Sequence, residues 1–138
     1  MHSNKIKSRF NTTYEKKKLL ASFLLVFVLA LPFVAQAATS YSYYSFKYIL
    51  TSKNYSFSSG SVSLETYNKE VSNSRSGLSD TFSITLYDSK GKSKGSRTQD
   101  LYASQKSSWS LDSKGTYFFR WVKADDGAIA KGKVEIKN

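Results

Sequence analysis

The 138-residue chain has no cysteine, one histidine and one proline. Without cysteine there is no disulfide, no thiol nucleophile and no site for lipid attachment, so stability rests on packing alone. The histidine is His2, inside the leader described below. The remainder therefore excludes a Ser-His-Asp triad, a Cys-His pair and any ordinary zinc or copper site. A carboxylate pair or a lysine-activated serine is the only catalytic chemistry left. Acidic residues are also scarce, ten against 21 Lys and Arg.

What is present begins with an address. Lys5, Lys7, Arg9, Lys16, Lys17 and Lys18 form a basic start, "LLASFLLVFVLALPFV" from Leu19 to Val34 is apolar, and "AQA" ends at Ala37. A basic start, a short apolar core and small residues at A-x-A define a secretory signal peptide, cleaved after Ala37. An uncleaved anchor would need about 20 apolar residues; this run has 16 and contains Pro32. The expected division is thus a leader at 1–37 and one secreted domain at 38–138. No transmembrane segment is expected after cleavage, and the long basic start suggests a Gram-positive exporter. The product would be free in the medium or held non-covalently at the cell surface. Six of the basic and one of the acidic residues precede Ala38, which leaves the domain at +6. Such a charge favours solubility and attraction to polyanions. It is no nucleic-acid signature, and no nucleic-acid partner is expected.

The domain reads as strands throughout. In "TSYSYYSFKYIL", Tyr44, Phe46, Tyr48 and Leu50 share one face and Tyr41, Tyr43 and Ile49 the other, a period of two. A bend at Gly60 precedes a strand with Val62 and Leu64 inward; "NKEVSNSRSGLSD" is a polar connection. "TFSITLYD" places Phe82, Ile84 and Leu86 inward and Ser83, Thr85 and Tyr87 outward. A lysine-rich tip, a polar return strand, and inward Trp109 and Leu111 follow, then "TYFFRWVKA", a "DDG" turn and "KGKVEIKN". About seven short strands without a helix predict an all-β fold, a small antiparallel β-sandwich.

"DSKGTYFF" resembles the tyrosine corner of immunoglobulin-type sandwiches, with Tyr117 as the corner and Phe119 where such domains carry their second cysteine. The resemblance covers Leu111 to Asn138. It implies that the penultimate strand starts at this corner and that "TYFFRWVKADDGAIAKGKVEIKN" forms the last hairpin.

The carboxylates are Glu65, Glu70, Asp80, Asp88, Asp100, Asp112, Asp125, Asp126 and Glu135. None suggests the pair needed for glycoside hydrolysis, and Asp112, Asp125 and Asp126 occupy turn positions that favour Asp. Asp125-Asp126-Gly127 could supply half of a calcium loop, which needs several more oxygen ligands. "GKSKG" at 91–95 copies part of a phosphate loop but lacks the earlier glycine, since Leu86 stands there, and the following helix.

Two features point to binding. Lys90, Lys92, Lys94 and Arg97 form a cationic tip able to attract polyanions, although lysines also protect sheet edges. Tyr41, Tyr43, Tyr44 and Tyr48 lie in a serine-rich stretch, the composition of adaptable contact surfaces. The expectation is a secreted, non-enzymatic protein without cofactor or metal. It would bind anionic or glycan components of the bacterial cell envelope through this tip and these tyrosines. The alternatives are a cationic antimicrobial or toxin-like protein and a self-assembling extracellular matrix component.

Overall fold

The structure, a computed structural model, describes residues 38–73 and 77–138. The leader expected at 1–37 lies outside them. Nine strands follow in chain order: β1 (Thr39–Phe46), β2 (Ile49–Thr51), β3 (Tyr55–Phe57), β4 (Gly60–Ser72), β5 (Thr81–Asp88), β6 (Ser93–Asp100), β7 (Gln105–Leu111), β8 (Gly115–Val122) and β9 (Ile129–Lys137). They form two antiparallel sheets, one ordered β1-β9-β4-β7 and the other β2-β8-β5-β6 with β3 also on β8. β2 pairs with Arg120–Val122 and β3 with Gly115–Tyr117, so together they make one edge strand interrupted at 52–54. Only β5 and β6 join as a hairpin; every other connection between these eight strands crosses from sheet to sheet. That is the winding of a jelly roll.

The core is what the alternation predicted. Val62, Leu64, Phe82, Ile84, Leu86, Trp109, Leu111, Val134 and Ile136 are all buried between the sheets. Burial of each large apolar side chain contributes roughly 1.5–3 kcal/mol. Phe119 is the hub: its ring lies 5.4 Å from Trp109, 5.8 Å from Trp121 and 6.2 Å from Phe57. The position expected for a disulfide partner is thus filled by an aromatic cluster, whose edge-to-face and tilted contacts add to its burial. The tyrosine corner is present, with the Tyr117 hydroxyl donating to the Ser113 carbonyl at 2.7 Å. It fixes the turn that delivers the chain from β7 into β8.

Three local expectations change. "TSYSYYSFKYIL" is not one strand: β1 pairs with β9 and β2 with β8, so the chain changes sheets at residues 47 and 48. The period of two survives this crossing and conceals it. The polar stretch after Tyr67 continues β4 to Ser72, across a bulge between Tyr67 and Glu70 where Asn68 adopts φ 49°. Asn tolerates that left-handed conformation better than most residues. Finally, β8 and β9 lie in opposite sheets, so the "DDG" segment is an arch between sheets and the last two strands are not a hairpin.

The arch is held by an internal cation. Lys123 is 3% exposed, and its Nζ donates to the carbonyls of Lys47, Ala124 and Ala128 at 3.1, 2.7 and 3.1 Å and to Asp126 Oδ1. The Lys123 N–H also donates to the Tyr48 carbonyl at 3.0 Å. One residue therefore ties the β1–β2 crossing to the β8–β9 arch.

Candidate functional site

The outer face of the four-stranded sheet gathers side chains far apart in sequence. Tyr41 and Tyr43 project from edge strand β1 and are 68% and 78% exposed. Register sets Tyr43 opposite Lys133 and Lys133 opposite Tyr67, giving a row of tyrosine, lysine and tyrosine across β1, β9 and β4. The Lys133 ammonium lies 5.6 Å from the Tyr43 ring centre, within cation–π range. The next row runs Tyr41, Glu135, Glu65, Lys106. Beside these rows, at the β4 bulge, is a depression of ≈ 420 Å³ lined by Tyr43, Ser45, Asn68, Glu70, Lys131 and Lys133.

Electrostatics fix the second row. Lys137 Nζ lies 2.9 Å from Glu135, and its hydrogen bond, with a second from Tyr41, holds the Glu135 carboxyl below the usual range. The same contact with Glu135 raises the Tyr41 hydroxyl. The neighbouring carboxylates Glu65 and Glu135 are thus each beside a cation, Lys106 and Lys137 respectively. A glycosidase acid needs its pKa raised toward neutrality; Glu135 is moved the other way.

The expected tyrosines divide. Tyr41 and Tyr43 lie on this face. Tyr44 points inward and only borders the depression: it is 5% exposed, packed 6.1 Å from Phe46 and 6.3 Å from Phe82, and burial pushes its hydroxyl up to about 12. Its neighbours in β1 point outward, so alternation sends it inward. Tyr48 is 47% exposed on the crossing between sheets, off the tyrosine rows.

The expected cations divide as well. Lys90 and Lys92 are exposed at the β5–β6 turn, where Gly91 takes φ 79°. Asp88 organises that turn, accepting the N–H groups of Lys90 and Lys92 at 3.0 and 2.9 Å and lying 3.5 Å from Lys94. These bonds, chiefly that from the Lys92 backbone, lower the Asp88 pKa. Lys94 is therefore paired with Asp88. Arg97 is committed elsewhere: Nε donates to the Ser108 carbonyl at 3.0 Å, Nη1 to Ser96 at 2.9 Å, and the guanidinium stacks 5.6 Å from Trp109. It clasps β6 to β7.

The hairpin and the tyrosine face do not adjoin. β1 is an edge of one sheet, whereas β6 is the far edge of the other. At usual strand and sheet spacings they are roughly 14 Å apart along the sheets and 10 Å through the sandwich. Asp126, considered above for calcium, spends one oxygen on Lys123 and on the Ala128 N–H at 3.0 Å. Among the described residues no group of three or more His, Cys, Asp and Glu could hold a metal.

Tyr67, Lys131 and Lys133 were missed from the sequence. Lys133 alternates with inward Val134 and Ile136, which gave its face but not its neighbour, because register is a property of the pairing.

No protein-family model and no curated protein matches the chain. Among solved structures it is similar to PliG of Aeromonas hydrophila, a periplasmic lysozyme inhibitor of g-type lysozyme, with TM-score 0.47 and 11% identity over 78% of this chain and 93% of that one. It is also similar to the VP2 subviral particle of infectious bursal disease virus, with TM-score 0.45 and 13% identity over 75% and 32%. A third likeness is to the carbohydrate-binding module CBM36 in complex with calcium and xylotriose, with TM-score 0.38 and 17% identity over 79% and 84%. Likenesses at these scores assign no activity to this chain.

Proposed function

We propose that this chain is an exported, non-enzymatic binding domain, its leader removed after Ala37, that associates with glycan or anionic components of the bacterial cell envelope. The observation that carries the reading is the register that sets Tyr43 and Tyr67 on either side of Lys133, with Tyr41 in the next row of the same outward face. Tyrosine presents a broad, rigid ring with a polar tip at low entropic cost. Sugar rings offer matching apolar faces edged by hydroxyls, for which Lys131, Lys133, Asn68 and Glu70 supply donors and acceptors around the depression. Lys90 and Lys92 form a separate contact for anionic polymer, sensitive to salt. The side-chain inventory beyond His2 and the lowered Glu135 speak for binding without turnover.

Co-sedimentation with purified Gram-positive cell walls, intact or stripped of anionic polymers, across a salt series tests this. Tyr43→Ala with Tyr67→Ala should remove the part of binding that survives salt and stripping. Lys90→Ala with Lys92→Ala should remove the salt-sensitive part. No binding to either wall preparation at any salt would end the envelope reading.

A further inference from the structure

The two sheets have four edge strands, and three are closed. β2 and β3 are three residues each and are broken at Lys53. β6 and β7 cover one another: Trp109 Nε1 donates to the Gly95 carbonyl at 2.9 Å and Arg97 Nε to the Ser108 carbonyl at 3.0 Å. A buried link of Thr66, Gln99 and Ser107 backs that closure, with Gln99 Nε2 donating to Ser107 Oγ at 3.0 Å. These are the means by which proteins blunt sheet edges: short strands, cationic residues and covering side chains.

β1 has none of them. It runs eight residues, "TSYSYYSF", without charge or proline, and its pairing with β9 continues from Thr39 to Phe46 without a bulge. Its other edge meets no strand among the described residues. Among the described residues, four of the five exposed large apolar side chains, Tyr41, Tyr43, Tyr48 and Ile49, lie on β1 or just beyond it.

We infer that β1 pairs with β1 of a second copy, antiparallel, so that two four-stranded sheets become one of eight strands. A strand without charge meets no like-charge repulsion when it faces itself. Such a contact is isologous and uses the open edge of both copies. Because the other edges are closed, assembly stops at a dimer and does not extend into fibres. The dimer brings Tyr41 and Tyr43 of both copies together across the two-fold axis, doubling the tyrosine face. This inference goes beyond the envelope reading and is measured without any ligand.

The test is sedimentation equilibrium of the full chain, expressed in an exporting host and purified in the form released. It is joined to amide hydrogen exchange at low and high protein concentration. A monomer–dimer equilibrium is expected, with concentration-dependent protection in Ser40–Ser45 and none in β6 or β7. Ser42→Lys, at the middle of the exposed edge, should weaken the dimer by up to about five-fold, and so should Ser42→Glu. Mixing the two variants should restore it, which separates edge pairing from loss of fold. A chain that stays monomeric at all concentrations overturns the inference. So does a dimer whose protection lies outside β1, or one indifferent to charge at position 42.

Discussion

Replacing Lys123 by methionine should strongly destabilise the domain. Lys123 is almost wholly buried, and its ammonium is surrounded by three backbone carbonyls and the Asp126 carboxylate. Methionine matches the stem but withdraws the ammonium from all three carbonyls and leaves the Asp126 carboxylate with the Ala128 N–H alone. Removing one partner of a buried ion pair costs about 3–5 kcal/mol, against a total of ~5–15 kcal/mol for a domain of this kind. Near 100 residues each kcal/mol moves Tm by about 4–8 °C, so a fall of roughly 20 °C is expected. Thermal and urea unfolding followed by tryptophan fluorescence would measure it, since Trp109 and Trp121 both belong to the core. The pH dependence gives a second check. The hydrogen bond from Lys123, then that from Ala128, holds the Asp126 carboxyl below its ordinary value. The unfolded chain therefore takes up the proton first, and stability present above the ordinary carboxylate pKa of ~4 is lost as pH falls through the lower folded value. Asp126→Asn should flatten that acid limb. A Lys123→Met protein within ~1 kcal/mol of wild type would refute this account of the arch.

Three further outcomes follow from local geometry. Tyr117→Phe removes the corner bond to Ser113 and should lower stability by about 1–2 kcal/mol, read as a lower urea midpoint with unchanged slope. Gly132→Ala would set a Cβ 2.5 Å from Tyr44 Oη and 2.7 Å from Cζ; Tyr44 is packed against Phe46 and Phe82, so a loss of ~1–3 kcal/mol is expected, part of it recovered by adding Tyr44→Phe. Burial, partly opposed by Asp100, brings the Lys69 ammonium down to about 8. After reductive ¹³C-methylation its signal should titrate well below those of the other lysines. The folded state then binds fewer protons than the unfolded between that value and the ordinary lysine range, so this group's contribution to stability rises as pH climbs through that window.

The fold was legible where alternation was strict. "TFSITLYD" and "KGKVEIKN" named their buried residues because a strand's two faces follow from its period alone. The corner was legible because Tyr117 bonds four residues back. What could not be read were relations between strands. The crossing at residues 47 and 48 preserves the period of two, so the change of sheet left no mark. The bulge at Asn68 and the arch at Asp126 use residues equally at home in polar loops. Tyr44 was misplaced since Tyr suits either face of a half-buried strand. Its partner Gly132, which leaves room for the ring, is 88 positions away. Arg97 looked like part of a cationic tip because spacing shows density of charge, whereas its use as a clasp depends on the Ser108 carbonyl in the next strand.

The separation of the two proposed contact surfaces constrains how they could act. Lysines at the hairpin tip and Tyr41 and Tyr43 on β1 lie at diagonal corners of the sandwich, with Tyr67 on the inner strand β4. Their distance, roughly 14 Å by 10 Å, exceeds the ~8 Å Debye length at physiological ionic strength. Neither feature therefore alters the other's field, and one short ligand cannot touch both. Salt should weaken contact at Lys90 and Lys92 while leaving aromatic contact at Tyr43 and Tyr67 nearly unchanged. In the wall-binding series the two would then appear as additive components, each removed by its own pair of substitutions. If the β1 edges also pair, the tyrosine face is doubled while the hairpins point apart at the two ends of the dimer. Polymer engaged by both hairpins would gain by avidity only when long enough to reach around the assembly. Fragmenting the anionic polymer should then weaken the salt-sensitive component and spare the other. Equal loss of both components on fragmentation would mean that one continuous surface, rather than two, does the binding.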